Sequence, residues 1–515
     1  MATQNLAKAI EEFTRIVGAE NVMVDAAQTI EFSDPFATVT DRDALKAPAV
    51  VQPATVDEIQ QILRVANELK QPVWFNSQGR NNGYGGSATR TLGSIVINLR
   101  RMKNIEVNLE HGYAVVEPGV NFFELHDAVK EASSGAFWMD PPDLGWGSVL
   151  GNALEYGVGY TPYGDHGKNL RGLEVVLPTG ELIRTGFGAM PGNNTWHLAN
   201  HGYGPSIEGL FFQSNFGVVT KGGVWLMPAP EVYAPLWIRI FDDAKFEALI
   251  DTLRPFMQDR TITNLPVVWN ALARLGLYKG RDELYDHPGV IPDEVVWEMG
   301  KSEGIGAWNI RCALYGTETV VDDGIARIIA AFEAIGAVVE AQKFNGPPPK
   351  TEEQSITVQA GMPSLDLVES ISFDGGSTGG HLSLGPVAPL AGKDARALSD
   401  LMKKAYHRRG YDYTSGMIVN ERTILAVSLM FYDTADEERV RGGHECLAEL
   451  IDDAGKMGFA EYRSHLNFMD QIADQMDFND GALYKLLTQL KDTLDPNGIL
   501  SAGKQGIWPK GERNS

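Results

Sequence analysis

Four stretches bring together residue types able to do chemistry. Residues 79–86 read GRNNGYGG, four glycines with an arginine and a tyrosine, shortly after the apolar PVWF. Glycine lets successive backbone N–H groups turn toward one point, and such a nest beside Arg80 suits an anion. A glycine-rich hairpin without ligand is the plain alternative. Residues 138–167, WMDPPDLGWGSVLGNALEYGVGYTPYGDHG, are again dense in glycine and carry acids, tyrosines and a histidine. GGHLSLGP (379–386) sets His381 behind two glycines that allow close approach to a ring, and EYRSH (461–465) sets a tyrosine beside an arginine.

The elements that must position these groups follow from periodicity. Leu6, Ile10, Phe13 and Val17 recur at helical spacing and stop at Gly18. PAVVQ reads as a buried strand, Thr55 and Glu58 as a capping box for a helix over 56–70, and VWF as a second strand. A Rossmann fingerprint would place a helix after the glycines. Here SATRTLGSIVINL follows, whose Ile95, Val96 and Ile97 read as a strand, so the glycine loop joins strand to strand. YAVVEPGV, a helix over 122–132, a hairpin at LEVVLPTGELIRTG and a strand in SNFGVVTKGGVWLMPAP complete this part, and Pro228 and Pro230 mark a boundary. Beyond it two β-α-β halves succeed one another, which suggests a ferredoxin-like antiparallel sheet covered by helices. The turn-rich tail is expected to fold back onto the first domain.

With 515 residues, two large domains are expected. The 44 basic against 67 acidic residues give a net charge of −23, which repels nucleic acids and anionic bilayers. Cys312 and Cys446 lie too far apart in sequence for a CxxC motif. No uninterrupted apolar run of about 18 residues exists and the start lacks a long apolar core, so a cytoplasmic setting is expected. Neither DHG (165–167) nor GHEC (443–446) has zinc-ligand spacing, His444 reads as a helix-surface residue, and HRRG (407–410) as a helix end whose cations complement the dipole.

Taken together, GRNNGYGG, PDLGWGSVLGNALEYGVGYTPYGDH, FGVVTKGGVWLMP, EYRSH and DPNGILSAGKQGIW resemble the vanillyl-alcohol oxidase and 4-cresol methylhydroxylase family of flavoproteins, over about residues 10–508. The resemblance implies an α+β, two-domain FAD-binding fold of the vanillyl-alcohol-oxidase type. The FAD-binding domain would span 1–229, with 459–515 returning to it, and a ferredoxin-like antiparallel-sheet cap domain would span 230–458. It implies an oxidase of para-substituted phenols: hydride leaves the benzylic carbon for the flavin, a quinone methide forms, and dioxygen is reduced to hydrogen peroxide. An ionised phenol makes that step easy, because the oxyanion pushes electron density through the ring. A free phenol near pKa 10 is mostly neutral at pH 7, so a cation and donors are needed.

The resemblance maps those groups onto Tyr84, Tyr462 and Arg463. Taken alone, Arg463 reads as half of a surface ion pair with Glu461. Asp143 matches the family's acid beside the flavin, with an N-cap or Asx-turn aspartate as the alternative. Tyr160 is a further cavity candidate with packing as its alternative. His381 matches the histidine bonded covalently to the flavin 8α carbon, with an unligated core histidine as the alternative. Gln78, Gly79, Arg80, Asn81, Asn82 and Gly83 would hold the pyrophosphate, while Tyr84 points into the catalytic cavity. Further cofactor contacts are implied at Pro142, Leu144, Gly147, Ser148, Gly151 and Asn152, and at Gly217, Val218, Val219 and Lys504; no metal is implied.

Two departures stand out. Where vanillyl-alcohol oxidase has a DPHH-like stretch whose histidine activates the covalent one, this chain has DPFATV, with Phe36 and Ala37, so flavinylation uses another base or runs slowly. ERTILA (421–426) replaces a REMHH-like motif, which changes the pocket or its lining. The compact MPGNNTWHLANHGYGP segment points to a homodimer. Two rival readings are a dehydrogenase-hydroxylase passing electrons to a cytochrome and a flavin-binding protein without activity.

Overall fold

The computed structural model describes residues 2–38, 40, 42 and 46–513; Val39 of DPFATV and Met1, Asn514 and Ser515 at the ends of the expected domain spans lie outside the described residues. The first helix, α1 (Ala2–Val17), stops where Gly18 takes φ 87°. Its Ala9, Phe13 and Val17 pack on Ile59, Ile62 and Leu63 of α2 (Val56–Leu69). Thr55 caps α2 by accepting from Glu58 N at 3.2 Å, and the helix ends at Leu69 with Lys70 left-handed, before Pro72 is reached.

Beneath α2 lies a four-stranded sheet of β1 (Val22–Met23), β2 (Val50–Val51), β3 (Val73–Asn76) and β4 (Ile95–Asn98), in the order β1-β2-β4-β3. β3 and β4 run parallel, with Val73 opposite Ile95, so the glycine loop between them is a crossover and not a hairpin. A second, antiparallel sheet follows: β5 (Ile105–Asn108), β6 (Tyr113–Val116), β7 (Leu170–Val176), β8 (Leu182–Arg184) and β9 (Val218–Trp225), in the order β5-β6-β9-β7-β8. α3 (Phe122–Ser133) and the short α4 (Val149–Leu154) pack on it.

The cap is one antiparallel sheet and not two separate ones. β10 (Val232–Ile240), β11 (Val267–Asn270) and β12 (Trp308–Gly316) form the first half, and β13 (Gly379–Leu384), β14 (Pro386–Pro389), β15 (Thr414–Val419) and β16 (Thr423–Asp433) the second. The halves join where β11 pairs β15, Trp269 opposite Gly416. Helices α5 (Phe246–Gln258), α6 (Glu318–Glu333), α7 (Gly392–Arg408) and α8 (Glu437–Lys456) bury their apolar sides on it. Arg408 lies in the last turn of α7 and Arg409 caps it, as expected of cations at a helix end, and both also pair with acids of α8, Arg408 with Glu449 and Arg409 with Glu445 and Glu449. His444 is half-buried and meets the His465 ring edge to face at 5.0 Å, because the returning tail covers its face of α8.

The tail runs from β17 (Ala460–Glu461), which still pairs with β14, to the first sheet, where Val73 N donates to Ile499 O and Ser501 N to Val73 O, both at 2.8 Å. It is clamped by Lys491, fully buried, which pairs with Asp495 at 2.8 Å and donates to Asn215 O and Leu500 O. Among the described residues, no helix is long and apolar enough to cross a membrane.

Candidate active site

Two cavities flank the glycine loop, whose Asn81 lines one and Asn82 the other. The first, partly open, runs between the two sheets of the first domain. Gln78, Gly79, Arg80 and Asn81 line it on one side, Gly147, Ser148, Gly151 and Asn152 on another, and Gly217, Val218, Val219 and Lys504 on a third. Gly79 and Gly83 take φ 71° and 77°, a left-handed backbone that other residues adopt only under strain. The Ser148 side chain caps α4 by accepting from Gly151 N at 2.9 Å. Arg80 lies over the Trp146 ring at 4.8 Å, and Lys504 pairs with Glu155 at 2.6 Å. Asn76 Nδ2 and Asn215 Oδ1 are buried with no protein partner, and both residues line this cleft. A long ligand rich in donors and acceptors, with an anionic middle, fits those orphaned groups and the glycine turn. FAD is such a ligand. Asn82 and Leu144 line the second cavity instead, and Pro142 lines neither.

The second cavity, about 1090 Å³, is walled mainly by apolar groups: Val267, Trp269, Leu277, Ile418, Val427 and Phe431. Its polar groups are few and converge. Tyr84, 8% exposed, enters from the glycine loop, and the Arg463 guanidinium lies 4.5 Å above its ring. Arg463 also donates to Asn81 Oδ1 and to the Tyr462 hydroxyl. The sequence-derived ion pair with Glu461 is absent: the Glu461 carboxyl accepts from Gly385 N, and the guanidinium is taken up by the two tyrosines and Asn81. Positions 84, 462 and 463 are therefore one cluster.

Burial pushes the Tyr84 hydroxyl far above the ordinary phenol range, and neighbouring Tyr462 adds to this against the opposing pull of Arg463 and a hydrogen bond with Ser383. It keeps its proton and is a donor. Burial opposes the Arg463 charge, but Tyr462, Tyr84 and Glu155 more than offset it and hold the guanidinium above its usual pKa. A cation with two aromatic hydroxyls suits an oxyanion.

Across the cavity stands Asp143. The Tyr160 hydroxyl donates to its Oδ2, while Gln354 Nε2 and Arg311 Nη2 lie 3.3 and 3.5 Å from its Oδ1. The carboxylate is thus held on both oxygens, more than an Asx turn requires. Tyr160, 4% exposed, is fixed by this bond as well as by packing, and burial, then Asp143, hold its hydroxyl well above the ordinary range. Arg311, 1% exposed, sits 4.1 Å over the Tyr160 ring and 4.8 Å over Trp269. The sequence reading did not include Arg311, Gln354, Trp269 or Ser383. An arginine within the apolar strand NIRCALYG was the available signal, since a buried charge needs a partner.

His381, on β13, lines the second cavity, and a Cβ on Gly83 would come within 2.7 Å of its Nε2, so the glycine permits this approach. Burial pulls its pKa down to about 4, against the opposing charge of Asp34, so the ring is neutral and nucleophilic at pH 7. Its Nδ1 is buried without a protein partner. The Phe36 ring lies tilted against it with centroids 4.9 Å apart, and Asp34 is bound to His465 at 2.9 Å. Of ERTILA, Leu425 reaches the cluster containing Tyr160, Tyr462 and Ile418, while Ile424 and Ala426 belong to the cap core.

Comparison with known proteins gives a consistent result. Residues 47–186 match the FAD binding domain family model, and residues 426–505 match the C-terminal domain of FAD linked oxidases. The flavoprotein subunit of 4-cresol dehydrogenase (hydroxylating) from Pseudomonas putida is 34% identical over 97% of this chain and 95% of its own length. Among solved structures, 4-ethylphenol oxidase from Gulosibacter chungangensis, in complex with isoeugenol, superposes with a TM-score of 0.94 at 36% identity, covering 99% of this chain and 98% of that one. p-Cresol methylhydroxylase with substrate bound gives a TM-score of 0.92 at 32% identity over 98% and 97% of the two chains.

Proposed function

This chain belongs to the vanillyl-alcohol oxidase/p-cresol methylhydroxylase family of FAD flavoproteins, and from that premise we propose that it is an oxidase of 4-alkyl-, 4-allyl- and 4-hydroxymethylphenols that uses dioxygen and forms hydrogen peroxide. Flavin-dependent oxidation of para-substituted phenols is the family activity it carries. The observation that bears the finer reading is the guanidinium of Arg463, which lines the first cleft, 4.5 Å above the ring of Tyr84, which lines the apolar cavity, and bonded to Tyr462.

Tyr84 and Tyr462 donate to the phenol oxygen while Arg463 supplies the charge that keeps it deprotonated. The apolar walls exclude water, which strengthens that interaction. Asp143, held by Tyr160, Gln354 and Arg311, faces the para substituent. There it manages the proton lost from an alcohol substrate or activates the water that adds to the quinone methide. When bound, FAD supplies the acceptor for the hydride that leaves the benzylic carbon. The Gln78–Gly83 loop, the Ser148 end of α4, Val218, Val219 and Lys504 would hold it, and the neutral His381 would attach to its 8α position. The cap and first domain would follow the expected spans, and a cytoplasmic homodimer completes the reading.

The decisive experiment mixes anaerobically reduced holoenzyme with air-saturated buffer and measures peroxide across a panel of 4-alkylphenols. Fast reoxidation without added carrier supports the oxidase; slow reoxidation with fast transfer to a cytochrome supports the second reading, favoured by the Pseudomonas relative.

A further inference from the structure

The phenol that binds as an anion must hand its proton to something, and neither Tyr84, which already holds a proton tightly, nor Arg463, which is a cation, can take it. Behind them lies a carboxyl with no other assignment. Glu461 precedes Tyr462 and Arg463 in the chain and sits on β17 opposite Pro386. Its Oε2 accepts one bond, from Gly385 N at 2.8 Å. Its Oε1 is buried and has no partner, although the residue as a whole is half-buried. Among the described residues no lysine or arginine pairs with it. A buried carboxylate oxygen left unpaired is costly unless the group carries a proton for part of its working cycle.

Gly385 links this carboxyl to the cage. Glu461 holds its N–H on one side, Tyr462 N donates to its carbonyl at 3.2 Å, and a Cβ added there would meet the Tyr462 ring at 2.8 Å. The charge of Glu461 is therefore one residue's thickness from the Tyr462 ring, and it bears on Tyr84 as well. Resting on the phenolate reading above, we propose that Glu461 is the acceptor for the phenol proton: the substrate O–H bond breaks, an O–H bond forms on the Glu461 carboxyl, and the productive complex holds one proton between the two groups.

The electrostatics agree in sign. Burial pushes the Glu461 carboxyl up to about 8, against the opposing Gly385 N–H. The titratable and charged groups facing it are Tyr462 and Arg463 on its own segment, Tyr84 from the glycine loop and Tyr406 from α7, whose hydroxyl burial holds far above the ordinary range. Above pH 8 the free enzyme offers a carboxylate that takes the proton internally. Below pH 8 the carboxyl is already protonated, and the phenol proton must leave for solvent.

The test uses holoenzyme and unsubstituted phenol, which has no benzylic carbon to oxidise, in weakly buffered solution with a pH indicator. Wild-type enzyme is expected to release about one proton per phenol bound at pH 7 and close to none at pH 9, whereas Glu461→Gln releases about one at both. The acid limb of kcat/KM is expected near 8 in the wild type and moved by about two pH units, to the phenol's own ionisation near 10, in Glu461→Gln. Equal release of one proton by the wild type at pH 7 and 9 overturns the proposal while leaving the phenolate reading intact. Release of none at either pH by the Glu461→Gln enzyme, which has no carboxyl there to take the proton, overturns the phenolate reading itself. The wild-type measurement stands even where Glu461→Gln fails to fold.

Discussion

Replacing Arg463 by methionine removes the cation above Tyr84 and keeps a side chain of similar reach. A phenolate oxygen in contact with the guanidinium, at a separation of about 4 Å, gains about 4 kcal/mol at an effective dielectric constant of 20. Mutational series for charge-assisted hydrogen bonds give a smaller net of about 1.5–3 kcal/mol, which is the better guide because the side chain's own desolvation is included. At about 1.4 kcal/mol per unit, the bound phenol's pKa rises by about one to two units. At pH 7 the rate of flavin reduction then falls about 10- to 150-fold. Anaerobic stopped-flow absorbance, repeated from pH 7 to 10, measures this. The deficit is expected to shrink toward pH 10, where a phenol ionises unaided, and Arg463→Lys is expected to lie between. Flavin content is measured alongside, because Arg463 also bonds to Asn81 of the cofactor loop. A deficit of the same size at pH 7 and pH 10, in enzyme fully loaded with flavin, refutes the reasoning.

His381→Ala is expected to bind FAD that acid precipitation releases, whereas the native protein retains its flavin in the pellet; intact-protein mass spectrometry reads the difference. Arg311→Met, which frees Asp143 Oδ1 from its cation without touching the phenol oxygen, is expected to lower kcat about 10- to 100-fold with KM nearly unchanged, and Arg311→Lys to recover part of it. Lys491→Met strands the buried Asp495 and is expected to cost about 3–5 kcal/mol of stability, seen as a lower urea midpoint with the phenol-oxidising rate of the folded fraction intact.

Much of this arrangement was legible in the residues themselves. The strand-loop-strand reading of GRNNGYGG rested on β-branched residues 95–97, and the parallel pairing of β3 and β4 bears it out. The capping pattern at Thr55 located α2 to within a residue at its start and end, because a side-chain oxygen and a short apolar period are local signals. Long-range pairing was not local. Nothing in PDLG or NIRCALYG says that Asp143, 168 residues before Arg311, would meet it, since that contact depends on how the cap sheet sits over the first domain. Glu461 illustrates the opposite failure: its neighbour in sequence, Arg463, looked like its partner, yet backbone direction sends the carboxyl toward Gly385 and the guanidinium toward Tyr84. The strand ends at Glu461 and the chain bends at Tyr462 and Arg463, so a spacing of two fixes proximity of backbones and leaves the fate of long side chains to packing.

The protonation state of a bound phenol is observable directly. Fluorine NMR of 4-fluorophenol in the holoenzyme at pH 7 is expected to show the chemical shift of the phenolate, and the Arg463→Met protein that of the neutral phenol. A neutral-phenol signal in the native enzyme, under conditions where the ligand is fully bound, contradicts the claim that Tyr84, Tyr462 and Arg463 act by holding the substrate as its anion.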